Sequence, residues 1–91
     1  MTILVDSARW RWRGRLWAHL VSDTSYDELH AFASSLGVPR EGFQGDHYDI
    51  PEALHRRALE LGAHQVRSTH LVRRLRAAGL RRPKSHRVLN A

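Results

Sequence analysis

No cysteine occurs among the 91 residues, which rules out disulfides, thiolate zinc fingers and a cysteine nucleophile and fits a reducing compartment. A chain of this length buries only about 60–65% of its unfolded surface, so one small core must hold the fold by packing alone. No run approaches the roughly 20 apolar residues of a membrane span. The opening MTILVD also lacks the basic n-region and long apolar stretch of a secretion signal. A cytoplasmic protein that does not enter membranes is the expectation. HExxH, a P-loop, GxSxG and GxGxxG are all missing, so no site is announced by a familiar spacing. Acidic residues run out as well: residues 61–91 hold eight basic side chains and no acidic one, whereas residues 16–55 hold seven acidic ones against Arg40 alone. The formal charge of +6 therefore divides into an acidic middle and a basic final third suited to polyanions.

What is present alternates between strand and helix patterns. TILVD, residues 2–6, reads as a short strand, residues 7–15 as a loop, and LWAHLV, residues 16–21, as a strand covered on both faces. Ser25 and Glu28 have capping-box spacing ahead of the stripe Leu29, Phe32, Ala33 and Leu36, and Gly37 follows as terminator. DHYDI, residues 46–50, suggests a third strand. Pro51 suits the first turn of a second helix, with Asp49 and Glu52 again at capping-box spacing and Gly62 at its end. Residues 63–67 form a brief strand, and Ser68 opens a third helix along Leu71, Val72, Leu75 and Ala78. The expectation is a single α/β domain over residues 1–82, with about four short, partly parallel strands and three helices. Residues 16–68 read as β-α-β-α-β with right-handed crossovers. Residues 83–91 read as a basic, flexible tail.

In open sheets of this kind ligands bind beyond the carboxyl ends of the strands, where Asp6, Asp23, Asp49 and Ser68 stand. Period-two alternation puts His47 and Asp49 on one face of the third strand and Asp46, Tyr48 and Ile50 on the other. Asp6, Asp23 and Asp49 are the expected ligands of a divalent ion (Mg²⁺, Mn²⁺ or Zn²⁺), with His47 as ligand or general base and His19 as its helper. No organic cofactor is expected. Each residue also has a local reading. Asp23 and Asp49 can serve as helix caps, His19 as a satisfied core histidine, and His30 as rim packing beside Tyr26.

In ARWRWRGRLW, Trp10 and Trp12 alternate with arginines, so an extended strip would stack bases on one side and neutralise phosphates on the other. The competing reading has those indoles lidding the core, and Trp17 inside it. Arg73, Arg74, Arg76, Arg81, Arg82 and Lys84 complete a candidate nucleic-acid surface without base-reading motifs.

ILVD, LWAHLVSDTSYDELHAFA, GDHYDIP and LVRRLRAAGLRR together resemble the domain of unknown function 4031 family of small bacterial and bacteriophage proteins, over nearly the whole chain. The resemblance implies a stand-alone domain with Asp6, His19, Asp23, Glu28, His30, His47, Tyr48 and Asp49 at motif positions, and it implies no activity. MTILVDS is also similar to the opening strand of PIN-type nucleases, which implies a metal-binding role for Asp6 alone; the chain is short of the usual PIN length and lacks the later acidic set. The reading that unites these features is a metal-assisted phosphodiesterase or nuclease-like protein acting on nucleic acid or a phosphorylated ligand. The alternative is a noncatalytic module that binds nucleic acid or protein, including a homo-oligomer formed through an exposed edge strand.

Overall fold

The longest strand, Arg15–Ser22 (β3), organises everything else in the computed structural model, which describes residues 2–82. Chain order is β1 (Ile3–Val5), β2 (Trp10–Trp12), β3, α1 (Tyr26–Ser35), a 3₁₀ turn (Arg40–Gly42), β4 (Tyr48–Pro51), α2 (Glu52–Glu60), β5 (His64–Gln65) and α3 (Ser68–Ala77). Along one edge β3 pairs with β2 at its start, Trp10 opposite Trp17, and with β1 at its end, Val5 opposite Leu20. Its other edge carries β4, with His19 opposite Asp49 and Leu20 opposite Tyr48. These three pairings are antiparallel, and β1 with β5 is parallel. The result is a single small α/β domain with a mixed sheet of five strands and three helices.

Two expectations need correction. Residues 7–15 are not all loop: β2 and β3 form a hairpin whose turn residues Arg13 and Gly14 both have positive φ, 50° and 74°, as a two-residue type I′ turn requires. The second concerns the strands flanking α1, which run antiparallel rather than through a parallel crossover. The segment after α1 carries the chain back to the end of β3 that it left, so Tyr48 enters beside Leu20. The tail expected from residue 83, with Lys84, lies outside the described residues.

Strand alternation separates two cores. Ile3, Val5, Ala18, Leu20, Tyr48 and Ile50 point to one face and pack with Leu29, Ala33 and Leu36 of the α1 region and Ala58 of α2. Leu4 and Val21 point to the other, against Leu71 and Leu75 of α3. LWAHLV is therefore covered fully on one side only, because α3 spans just the Val21 end of the opposite face. The Ser25 hydroxyl accepts the Glu28 N–H at 3.1 Å and starts α1. Its reciprocal half is diverted: the Glu28 carboxylate accepts the hydroxyl of buried Ser22 at 2.5 Å. The second expected capping box does not form, since Pro51 precedes α2 without a side-chain cap. Asp49 faces elsewhere.

Candidate functional site

The half of the second face that α3 leaves uncovered carries His19 from β3, Asp49 from β4 and His47 from the turn before β4. Antiparallel register places His19 and Asp49 side by side on this face. Gly45, at φ 96°, lets the chain turn so that the Gln44 N–H donates to the His47 carbonyl at 2.7 Å. That turn folds Asp46 back against His47 instead of leaving it on the opposite face, as strict alternation had suggested. One donor atom from each of His19, His47 and Asp49 falls within 4.8 Å of the other two. Asp49 Oδ1 is 3.1 Å from His47 Nε2 and 4.0 Å from His19 Nε2. Donors bonded at about 2.0–2.1 Å to one tetrahedral ion stand roughly 3.3 Å apart, so the three donors would have to draw closer together to complete such a set.

Behind the rings lie two carboxylates that water hardly reaches, Asp6 at 2% exposure and Asp46 at 0%. His19 Nδ1 is 2.8 Å from Asp6 Oδ2, and His47 Nδ1 is 2.7 Å from Asp46 Oδ1. Each carboxylate favours a proton on Nδ1, which directs Nε2 toward Asp49, where it can carry a proton or, once deprotonated, ligate a metal. Both carboxylates are themselves fixed. Asp6 accepts the His19 N–H at 2.7 Å and the Ser68 hydroxyl at 2.6 Å. Asp46 accepts the Arg82 N–H at 2.8 Å and Arg81 Nη1 at 3.3 Å. Burial pushes the pKa of both upward, but the hydrogen bonds and the neighbouring imidazoles prevail and hold each below the ordinary carboxylate value.

Asp49 differs from its neighbours. Its Oδ1 is buried and makes no well-directed hydrogen bond among the described residues, although His47 Nε2 is close. An acceptor in that state is costly unless a cation or proton completes it. A proton can do so: burial disfavours charge on His47, yet Asp46 and Asp49 on either side raise its pKa to about 9. At neutral pH the metal-free site then holds an imidazolium between two carboxylates, and a metal ion would take the place of the Nε2 proton.

A cleft of about 360 Å³ opens beside these groups, with Asp6, His19, His47, Ser68, Leu71 and Arg81 among its walls. On the far side of His19 the rings continue. His19 stacks on Trp10 (centroids 5.8 Å apart), Trp10 on Trp17 (6.0 Å), and Trp17 meets the edge of Trp12 (5.7 Å). None of the three tryptophans belongs to either core cluster. This corrects both the core assignment of Trp17 and the lid reading of Trp10 and Trp12.

The remaining candidates lie apart. Asp23 accepts the Thr2 N–H at 2.9 Å and the Thr24 hydroxyl, and pairs with Arg74 of α3. It stands four residues along β3 from His19, about 13 Å in an extended strand, so it is not brought to the cluster. Burial raises the Asp23 pKa less than those three contacts lower it. Arg81 and Arg82 are spent partly on Asp46 and, for Arg82, on the Tyr26 hydroxyl at 2.9 Å. Arg73 and Arg76 flank an apolar hollow at Val72. Of the other motif residues, His30 Nδ1 is 2.8 Å from the Tyr48 hydroxyl on the dry face, with its pKa lowered by burial and by Arg40.

Sequence reasoning missed Asp46 as the partner of His47, and His55, whose Nε2 lies 3.0 Å from the Asp6 carbonyl oxygen and ties α2 to the end of β1. Adjacency of Asp46 and His47 was the available signal for the first; nothing in the spacing signalled the second.

Among known proteins, a family model described as "Protein of unknown function (DUF4031)" matches residues 3–78. No curated protein and no solved structure matches the chain.

Proposed function

We propose that this chain, which belongs to the DUF4031 family of proteins of unknown function, binds one divalent transition-metal ion through His19, His47 and Asp49 and uses it to hydrolyse phosphodiesters. The supporting observation is the pair of buried carboxylates. Asp6 and Asp46 each hold an Nδ1, so both Nε2 atoms are left to converge on the one carboxylate oxygen without a well-directed hydrogen bond. Two imidazoles and one carboxylate suit Zn²⁺ better than Mg²⁺, which prefers all-oxygen octahedra. Asp6 becomes a positioning residue rather than a ligand, and Asp23 has no part.

Such an ion would polarise a phosphoryl oxygen and lower the pKa of a bound water to about 7, which supplies a nucleophile without a dedicated base. Arg81, on the cleft wall and shared with Asp46, would supply part of its positive charge to the phosphate.

The test is metal content and calorimetric titration with Zn²⁺, Mn²⁺ and Fe²⁺, followed by hydrolysis of bis(p-nitrophenyl) phosphate. The expectation is one Zn²⁺ per chain with a Kd below about 10 μM, and loss of binding and hydrolysis in Asp49→Asn. Absence of binding by all three metals sinks the reading. The same donor set also serves non-haem Fe²⁺, so retention of iron in place of zinc would move the chemistry from hydrolysis to oxygen activation.

A further inference from the structure

The hairpin that precedes the cluster carries more aromatic surface and more unpaired charge than the fold requires. Trp12 is 50% exposed, an unusual position for the largest apolar side chain in a chain with so small a core. Trp10 and Trp17 sit beside it in partial exposure, and the row they form ends on His19. Antiparallel register puts Trp12 with Arg15, Trp10 with Trp17 and His19 with Asp49 on one face of the sheet, in that order. Trp10 Nε1 is buried without a hydrogen-bond partner among the described residues, so within them the row also contains an unsatisfied donor.

Along this hairpin Arg9, Arg13 and Arg15 are exposed, and none forms an ion pair among the described residues; Arg11, opposite Leu16, belongs to the other face of the sheet. Arg13 lies over the Trp12 ring, 4.5 Å from its centroid. The arginines at and beyond the end of α3 differ in this respect, since Arg74 in its last turn and Arg81 after it are already paired with Asp23 and Asp46. Positive charge that has no internal partner, set around flat apolar rings, complements a polymer that offers flat rings and negative charge together. Single-stranded nucleic acid is that polymer. A duplex hides its bases from such a row, and an acidic peptide offers charge without ring faces.

We infer that the row Trp12–Trp17–Trp10 is a stacking platform for the bases of single-stranded nucleic acid, with Arg9, Arg13 and Arg15 on its phosphates. The inference rests on the phosphodiester reading of the neighbouring site and gives it a substrate class: the platform leads an unpaired strand toward His19, His47 and Asp49. Base stacking is indifferent to sequence, so the platform selects strandedness rather than a motif.

Binding can be measured apart from metal and from hydrolysis, by fluorescence anisotropy of a labelled oligothymidylate of about 10 nucleotides in the presence of EDTA. The expected result is salt-dependent binding with a slope near −2, from three phosphates at about 0.7 each. Trp12→Ala should weaken it about tenfold or more, and Trp12→Phe should retain most of it. A duplex of the same length should bind markedly more weakly. Circular dichroism of each variant checks that exposed Trp12 was removed without unfolding. Equal binding by Trp12→Ala, or equal binding by inorganic polyphosphate at the same salt slope, overturns the platform, because charge alone would then account for it. Preference for an acidic peptide would overturn it in favour of a protein partner. None of these outcomes touches the metal titration, so the two readings fail separately.

Discussion

The two faces of the sheet are built by alternate residues of the same strands, yet they do different work. Ala18, Leu20, Tyr48 and Ile50 leave one face dry, sealed by α1 and α2. Between them along β3 and β4, Trp17, His19 and Asp49 face the other way, where α3 reaches only Val21 and Leu4. A period of two makes this division possible in strands of four and eight residues. The dry face supplies packing energy, and the opposite face is thereby free to hold carboxylates, imidazoles and exposed indoles that a small core could not absorb. The buried carboxylates behind the open face are tolerable because each is held by several donors. Asp6 bonds where β1 leaves β3, taking the His19 N–H that a regular ladder would have satisfied with a carbonyl.

The comparison is tested most severely from the dry side. Leu20→Ala removes a fully buried side chain from the larger core and should cost about 2–5 kcal/mol, a large part of the roughly 5–15 kcal/mol typical of a folded domain. Urea denaturation would read it as a fall in midpoint at unchanged slope.

On the open side the largest effect is that of pH on metal binding. Because His47 must lose a proton raised to about 9 before Nε2 can ligate, one proton leaves per ion bound, and the apparent Zn²⁺ affinity should climb about tenfold per pH unit from roughly 7 to 9 and then flatten. Stability of the metal-free protein runs oppositely. The imidazolium's contribution is complete below its unfolded pKa near 6.5 and is lost as pH rises through about 9. Titration calorimetry in two buffers of different ionisation enthalpy would count the proton, and a pH-independent affinity would separate His47 from the metal.

Smaller again is the effect of the groups behind the ligands. Asp6→Asn preserves shape but weakens the hold on His19 Nδ1 and its lone-pair orientation, and should reduce metal affinity by about 10–100-fold. Restoration by Asp6→Glu is not expected, because the same carboxylate must also meet the His19 N–H and the Ser68 hydroxyl.

The dry face was legible in the sequence because its determinants are local. The Leu29, Ala33 and Leu36 stripe, the Ser25 cap and Gly37 each act within a few residues. The β2–β3 hairpin read as a loop instead, because Arg13-Gly14 is not one of the strong two-residue turn pairs and arginines fill the flanking positions. The open face was harder for a physical reason. Asp49 has the spacing of a helix cap as well as the alternation of a strand residue, and only the approach of His19 from another strand decides between them. Trp17 reads as core in LWAHLV because the short reach of α3 is a tertiary fact. Asp23 looks as suitable as Asp6 until Arg74, 51 residues away, is seen to occupy it.

That last pair gives the smallest expected effect and the finest division within the open face. Asp23 lies at one end of β3 and the histidine cluster farther back along the same strand, so two carboxylates that sequence alone treats as equivalent belong to separate tasks. Arg74 is 39% exposed on its side chain, and exposed pairs contribute about 1 kcal/mol or less, screened by salt. Arg74→Ala should therefore lower stability by no more than that, less at high ionic strength, and leave Zn²⁺ affinity unchanged. Asp23→Ala should cost more, because the Thr2 N–H loses its acceptor as well, again without moving metal affinity. If either substitution weakened metal binding as Asp6→Asn does, the boundary drawn across the open face would be wrong, and Asp23 would return to the site as a more distant support of its charge.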